Sequence, residues 1–463
     1  WDEGGFVYPL DLDLLWGTDS KDLWLGSPSM GYNEDDETYV TVASYTDWTR
    51  NNNYIFTSEG YANGQLIMGD EQIVIDEQVC LVAGTSDGSY NTAVTVSIND
   101  GGQGVAGVIG LFNGCDPENL TGSPYTDGCY HQPIFKVTED YGQTWHGPDA
   151  NDPCSFYYIG DDLFADMIAS MPEVYTDECG GYEYYIVDFW SYYDFDYKVD
   201  ANGDVHILMS VVPSDDYYVF WIDGAGWYHF TIDSDYLDNP GQVNTSTGWN
   251  WSKVSAMEDT WVFVANDASS NVWETQASLS FSKDNPDVVW VALDKKNDYA
   301  CGEIVDDFGN DDPCDDLYEY PGLSSDIYVY KSMDGGSTWY NPINASDSED
   351  NPDDYPASWL GACPDGLLIC GPEEMYPHAP QWSTEDEMYL MYQMPNWGFN
   401  EIGDLLGPDH LNRVYGAKIE VTTDSEPGQT DCDSEAPSYV LGDANGDGVI
   451  NILDIQSLIL HML

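Results

Sequence analysis

The chain has 463 residues, with 84 Asp and Glu against 11 Lys and Arg, a formal charge of −73. That balance excludes a nucleic-acid binder, because neutralising phosphates takes clustered Lys and Arg, and an anionic membrane surface would repel it. Hydrophobic residues at 42% and aromatics at 14% supply too many core-formers for a disordered chain.

No run approaches the roughly 18 apolar residues of a membrane span, so no insertion into a bilayer is expected. The chain opens Trp1-Asp2-Glu3 without a basic stretch leading into an apolar one, so any secretory signal is expected to be already removed. In chain order, short β-branched and aromatic segments alternate with Gly, Asn, Asp and Pro. Thr38–Ala43, Tyr184–Trp190, Val205–Met209 and Asp326–Tyr330 read as half-buried strands, and Val288–Leu293 as a buried one. Long helical periodicity is absent until the last ten residues. The fold class expected is all-β.

Ten cysteines, none in a CxxC pair, fit an oxidising exterior rather than a zinc or redox centre. Short separations suggest the pairs Cys115/Cys129, Cys301/Cys314, Cys363/Cys370 and Cys154/Cys179, with Cys80/Cys432 as a long closure. Sequons at Asn119, Asn244, Asn250 and Asn344 permit glycosylation without arguing for it. Secretion is the expected localisation, since salt, divalent cations or glycans would relieve the like-charge repulsion.

Two segments share one pattern. Thr138-Glu139-Asp140-Tyr141-Gly142-Gln143-Thr144-Trp145 aligns with Ser332-Met333-Asp334-Gly335-Gly336-Ser337-Thr338-Trp339, each after a strand-like run. Asp can accept the N–H groups of a tight turn, Gly takes a positive φ, and Trp folds back on the sheet. The pattern S/T-x-D-x-G-x-T-W resembles the Asp-box of sialidase-like β-propellers. The resemblance implies a propeller over residues 1–430 and gives Asp140, Trp145, Asp334 and Trp339 an architectural role. The copies start 194 residues apart, which fits three blades of about 65 residues and a six-bladed ring, with seven as the alternative.

Residues 431–463 form a separate segment. Asp443-Ala444-Asn445-Gly446-Asp447-Gly448-Val449-Ile450-Asn451-Ile452-Leu453-Asp454 is a twelve-residue loop of EF-hand type. Asp443, Asn445, Asp447, Asn451 and Asp454 supply side-chain oxygens, Val449 a carbonyl and Gly448 the sharp turn, a set suited to calcium. With Asp at the twelfth position, the loop resembles one calcium-binding repeat of a dockerin. Dockerins carry two such repeats and dock onto a cohesin, whereas this chain has one. After it, Ile455, Leu458, Ile459 and Met462 form an apolar stripe on a short helix, which needs a covering surface. The same pentapeptide, Asp-Ala-Asn-Gly-Asp, recurs at Asp200–Asp204, where Val205 and Val211 break the metal pattern and a hairpin turn is the better reading.

Sialidases of the propeller family hold the substrate carboxylate with three arginines, and this chain has only Arg50 and Arg413. Acid-rich runs such as Asn33–Glu37 and Glu349–Asp354 read as solvated or calcium-binding loops, so no catalytic residue is assigned. The sequence therefore points to a secreted, non-catalytic propeller acting as an extracellular structural protein, a filament, sheath or surface layer. Its protomers would be linked to one another through the calcium-bound C-terminal segment, in a heterologous contact. The alternative is a carbohydrate-active enzyme, a glycoside hydrolase or lyase, or a glycan-binding module on the same propeller.

Overall fold

In the computed structural model the described residues are 23–48, 52–62, 65–81, 91–111, 131–176, 183–214, 224–237, 247–256, 262–264, 271–273, 276–296, 325–346, 375–394, 397–399, 405–408 and 413–420. The C-terminal loop at 443–454, its helix and the sequons at Asn119 and Asn244 lie outside them.

Among the described residues five sheets of three or more strands carry the fold, built almost wholly from antiparallel neighbours. The first contains β1 (Leu23–Asn33), β2 (Thr38–Asp47), β3 (Asn52–Ala62), β4 (Gln65–Met68) and β5 (Gln72–Asp76), with β4 and β5 both paired to β3. The second is a meander of β6 (Thr95–Ile98), β7 (Gly104–Gly110), β8 (Gln132–Thr138) and β9 (Tyr157–Tyr158). After the ribbon β10 (Val174–Thr176) and β11 (Glu183–Tyr185) comes a third sheet. It orders β12 (Asp188–Val199), β13 (Val205–Ser214), β14 (Gly226–Ile232) and β15 (Trp249–Ala256).

A second ribbon, β16 (Val262–Val264) and β17 (Asn271–Trp273), precedes the fourth sheet. There β18 (Ala277–Ser282), β19 (Val289–Lys296), β20 (Ser325–Ser332) and β21 (Ile343–Asn344) form a meander. Strand β23 (Trp382–Ser383) joins it alongside β18, in parallel. The fifth sheet orders β22 (Met375–His378), β24 (Glu387–Met394) and β27 (Arg413–Glu420), and β25 (Trp397–Phe399) pairs with β26 (Leu405–Pro408).

The fold is thus all-β, and among the described residues the larger sheets are propeller-type blades, five of them, where six or seven were expected. The reason is visible in the spacing. The two Asp-Gly-Thr-Trp turns follow β8 and β20, the third strands of the second and fourth meanders, so 194 residues cover two blades, about 97 each. The intervening blade has strands of up to 12 residues and long connections, which a uniform repeat of about 65 does not anticipate.

Side-chain alternation holds only in part. β7, β8 and β13 are buried along their whole length, as strands covered on both faces must be. The segment read as one strand at 184–190 is divided, β11 ending at Tyr185 and β12 beginning at Asp188.

Among the described residues three helices interrupt the β pattern: α1 (Glu77–Cys80), α2 (Asp161–Ser170) and α3 (Ser234–Leu237). The ten-residue α2 was not expected. Its signals are short-range ones, Gly160 at the N-cap, acidic Asp161 and Asp162 in the first turn, and Leu163 spaced i, i+4 from Met167. Phe164 is buried against Phe189 and Phe230 at ring distances of 4.7 and 6.5 Å.

By packing, the chain divides into two units, residues 1–173, 185–220 and 229–251 in one, and 174–184, 221–228 and 252–463 in the other. The first unit's core joins Val42, Ile55, Val96, Val108 and Ile134, with a separate stack of Tyr45, Tyr54 and Phe56. The second unit's core centres on Trp290, Ile327, Val329, Met388 and Leu390.

The disulfide pairing departs from the sequence reading. Cys154 is bonded to Cys80, 74 residues away, and neither Cys179 nor Cys432 takes part. Separation in sequence favoured a local loop, but the buried Cys80 at the end of α1 packs in the same core that Cys154 adjoins. A cross-link closing so long a loop constrains the unfolded chain strongly. Replacing both cysteines by Ala is expected to lower stability by about 2–5 kcal/mol in urea unfolding, and non-reducing peptide mapping should recover the Cys80–Cys154 peptide pair.

Candidate functional site

The two turns have the same hydrogen bonds, atom for atom. Thr144 N–H and Oγ1 donate to the Asp140 carboxylate at 2.8 and 2.7 Å, and Thr138 Oγ1 donates to it at 2.8 Å. In the second copy Thr338 N–H and Oγ1 reach Asp334 at 2.8 and 2.7 Å, and Ser332 Oγ at 2.8 Å. The same hydroxyls accept from the N–H of Gly142 (3.0 Å) and Gly336 (2.9 Å). Both glycines have positive φ, 80° and 86°, and a Cβ on Gly142 would stand 2.7 Å from Val42 Cγ1.

Each turn is also held from outside by two bonds that both copies share, and Gln72 Nε2 adds a third on Gly142 O at 3.3 Å in the first. The N–H of Tyr141 donates to Gly102 O at 2.9 Å, and that of Gly335 to Asp287 O at 2.8 Å, in both cases the first hairpin turn of the same sheet. A hydroxyl from the sheet before it in sequence then donates to the glycine carbonyl: Thr57 Oγ1 to Gly142 O and Ser252 Oγ to Gly336 O, each at 2.6 Å.

The tryptophans differ. Trp145 packs on the first unit's core with its Nε1 buried and without a hydrogen-bond partner. Trp339 Nε1 donates to Ser252 Oγ at 2.8 Å, so one hydroxyl fixes both the turn and the indole.

That second turn borders a cleft of about 430 Å³. One wall is Ser252–Ser255 of β15. The other is the 337–342 segment with Trp339, Tyr340, Asn341 and Pro342, and Tyr330 of β20 completes the lining. Tyr330 OH donates to Ser255 Oγ at 3.1 Å, a second tie across the cleft. The Lys253 ammonium lies 6.0 Å from the centre of the Tyr228 ring. The lining therefore offers aromatic surface, hydroxyls, an amide and one cation, a set that binds hydroxyl-rich ligands by stacking and hydrogen bonding.

Other polar groups hold the fold. The repeated pentapeptide at Asp200–Asp204 is the β12–β13 turn, with Gly203 at φ 88°. Asp200 is buried and accepts the N–H groups of Asn202 and Asp204, both at 2.9 Å. Burial first, and the Asp204 charge second, push its carboxyl up to about 7. His206 Nδ1 and His229 Nε2, both buried, lie 3.0 Å apart, and burial followed by the His229 charge drives His206 well below the ordinary histidine value. Among the described residues no group of three or more His, Cys, Asp or Glu is placed to hold a metal ion.

Two sequons are described. Asn250 is exposed on β15. Asn344 Nδ2 donates to Asp326 Oδ2 at 2.6 Å and its Oδ1 accepts Ser346 N–H at 3.1 Å, so a glycan on this nitrogen would break an internal bond. No described helix is long and apolar enough to cross a membrane.

No family model matches the chain, and no curated protein does. Among solved structures it is similar to an endo-arabinase from Bacteroides thetaiotaomicron, at 10% identity and a TM-score of 0.35, over 86% of this chain and 95% of that one. An α-L-arabinofuranosidase from Fusarium graminearum, bound to an iminosugar inhibitor, matches at 9% and 0.32 over 86% and 93%. A leech intramolecular trans-sialidase matches at 9% and 0.29 over 86% and 61%. Likenesses this distant carry no functional inference.

At Asp140 and Asp334 burial raises the carboxyl, but the bonds from Thr144 and Thr138, or Thr338 and Ser332, outweigh it and hold both below the ordinary aspartate value. Asp140→Ala and Asp334→Ala are each expected to cost roughly 1–2 kcal/mol, discounted for the turns' exposure. Because the folded values are depressed, this contribution is present above pH 4 and disappears as pH falls through them. Urea unfolding followed from pH 7 downward should show the penalty constant above pH 4 and shrinking as pH falls below it.

Proposed function

We propose that the protein is a secreted saccharide-binding protein whose ligand occupies the cleft between β15 and the 337–342 segment. The observation that supports this reading is the Trp339–Ser252–Gly336 bridge. It immobilises a large aromatic face at the edge of a cleft lined with hydroxyl and amide groups. A fixed ring loses no rotamer freedom when a sugar ring stacks on it, so the stacking contributes fully to affinity. The cleft's volume lies within the range of small-ligand sites.

Titration with a panel of oligosaccharides, followed by tryptophan fluorescence, is expected to find saturable binding. Trp339→Ala should weaken it at least tenfold, about 1.4 kcal/mol, and Trp145→Phe should leave it unchanged. Failure of every saccharide to bind would remove the reading. Release of reducing ends or unsaturated products in the same assay would make the protein a carbohydrate-active enzyme rather than a binding module.

The alternative of a self-assembling structural protein depends on residues 443–463, outside the described residues. For that segment we propose a calcium ion held by Asp443, Asn445, Asp447, the Val449 carbonyl, Asn451 and Asp454, on the strength of six oxygen donors at EF-hand spacing. Calorimetric titration is expected to give a site lost in Asp443→Ala and weakened in Asp454→Ala. The same segment is proposed to link protomers, so EDTA should lower the assembly mass in size-exclusion chromatography. An unchanged mass would leave calcium with a local role alone.

A further inference from the structure

The two aspartate turns share one frame and differ in what is attached to it. Both close on the same carboxylate bonds. In both an outside hydroxyl donates to the glycine carbonyl at 2.6 Å, Thr57 Oγ1 to Gly142 O and Ser252 Oγ to Gly336 O. They part at the tryptophan. Trp145 lies against the first unit's core, and its buried Nε1 makes no bond to Thr57. Trp339 Nε1 donates to Ser252 Oγ at 2.8 Å, and Trp339 borders the cleft. The first copy closes without an indole bond, so the turn itself does not require the one in the second. A serine hydroxyl has one proton and two lone pairs, which lets Ser252 hold the carbonyl and the indole at once.

We infer that Ser252 is a positioning residue for the saccharide site, and that through it the Asp334 turn is coupled to ligand binding on Trp339. This inference rests on the saccharide reading above. The contacts form a short, continuous chain. Ser332 Oγ and Thr338 bond to the Asp334 carboxylate, and the Ser332 hydroxyl accepts the N–H of Gly336. The Gly336 carbonyl accepts the Ser252 proton, and Ser252 accepts the indole N–H. Loosening the turn at Asp334 releases the Gly336 carbonyl and with it the serine. The indole regains rotamer freedom, which a stacked sugar must then remove at the expense of affinity. Such coupling is reciprocal, so a bound ligand stabilises the turn by as much as the turn strengthens the ligand. At Asp140 the last link is missing, since Trp145 makes no bond to Thr57.

The test uses the full chain at neutral pH, with neutral trisaccharides of the gluco-, xylo-, manno- and arabino-series as probes. Fluorotryptophan is incorporated so that the Trp339 resonance, assigned by its loss in Trp339→Phe, can be followed by fluorine NMR. Ser252→Ala is expected to shift that resonance and to weaken the best-bound trisaccharide about three- to tenfold, the effect of freeing one side chain. Asp334→Ala should do the same. Asp140→Ala, which removes the matching bonds, and Thr57→Ala should leave the resonance in place and the affinity within about twofold. The double variant Ser252→Ala/Asp334→Ala should lose less than the product of the two single losses, because both break one chain of contacts. Ser252→Thr, which keeps the hydroxyl, should restore both readouts. Ser252→Ala also removes the Asn250 sequon, so Asn250→Gln separates loss of a glycan from loss of the bond. Unfolding curves of every variant guard against a folding defect.

A Trp339 resonance unmoved by Ser252→Ala and Asp334→Ala, or equal losses of affinity in Asp140→Ala and Asp334→Ala, would overturn this inference and leave the saccharide reading standing. Absence of binding by every trisaccharide would remove both.

Discussion

A carboxylate inside a tight turn sets much of this architecture. Asp140 and Asp334 each collect an N–H and two hydroxyls, which lets the chain reverse after the third strand of a blade while two successive residues take left-handed conformations. A rigid turn can then be gripped from elsewhere. Thr57 and Ser252, one from the third strand of the first sheet and one from the fourth strand of the third, make the same 2.6 Å bond to the glycine carbonyl. Because a carbonyl in a positive-φ turn points away from its own sheet's ladder, the outside hydroxyl satisfies a group that the ladder cannot. In the second copy the same serine also aligns Trp339, and there the structural device becomes one wall of a cleft.

The extreme charge has a counterpart inside the protein. Among the described residues two lysines, Lys136 and Lys331, are drawn inward over aromatic rings, where desolvation is offset by ring quadrupoles and hydrogen bonds. Lys136, for example, donates to Pro153 O at 2.8 Å beneath the Phe156 ring. Burial first lowers its affinity for the proton, and the Asp152 charge raises it again. Each such burial removes a cation that would otherwise offset the acidic excess at the surface.

Local chemistry was legible in the sequence and long-range arrangement was not. The turn residues at 138–145 and 332–339, the Asn-Gly hairpin at 200–204 and the strands around Val205 and Val288 depend on neighbours a few positions away. The blade number failed because connections of unequal length made one spacing a poor ruler. The Cys80–Cys154 bond failed because proximity in sequence stood in for proximity in space. The cleft could not be read at all. Its walls lie more than 80 residues apart, and nothing in Ser252-Lys253-Val254-Ser255 marks it as facing Trp339. Asn344 shows the same limit in small form, since its sequon is intact while its amide nitrogen is committed to Asp326.

The buried ionisable groups oppose one another in pH. Asp200, raised to about 7 by burial and by Asp204, favours the folded state at low pH and loses that advantage as pH climbs from its unfolded value of 3.8. Glu77 acts in the same direction, raised by burial although Asn53 and Asn91 donate to its carboxylate at 2.8 and 3.4 Å. The surface adds to this trend, because each carboxylate that ionises increases self-repulsion. His206 opposes it. Held neutral by burial and by His229, it penalises the folded state once pH falls below the unfolded histidine value near 6.5. The turn aspartates add a second acid-side loss, below pH 4. Stability squeezed from both sides in this way has its maximum between the acid-side and alkaline-side losses, where His206 is neutral and the surface is not fully charged. High salt broadens that maximum toward alkaline pH by screening the surface repulsion, while leaving the buried groups, which salt does not reach, to fix its acid edge.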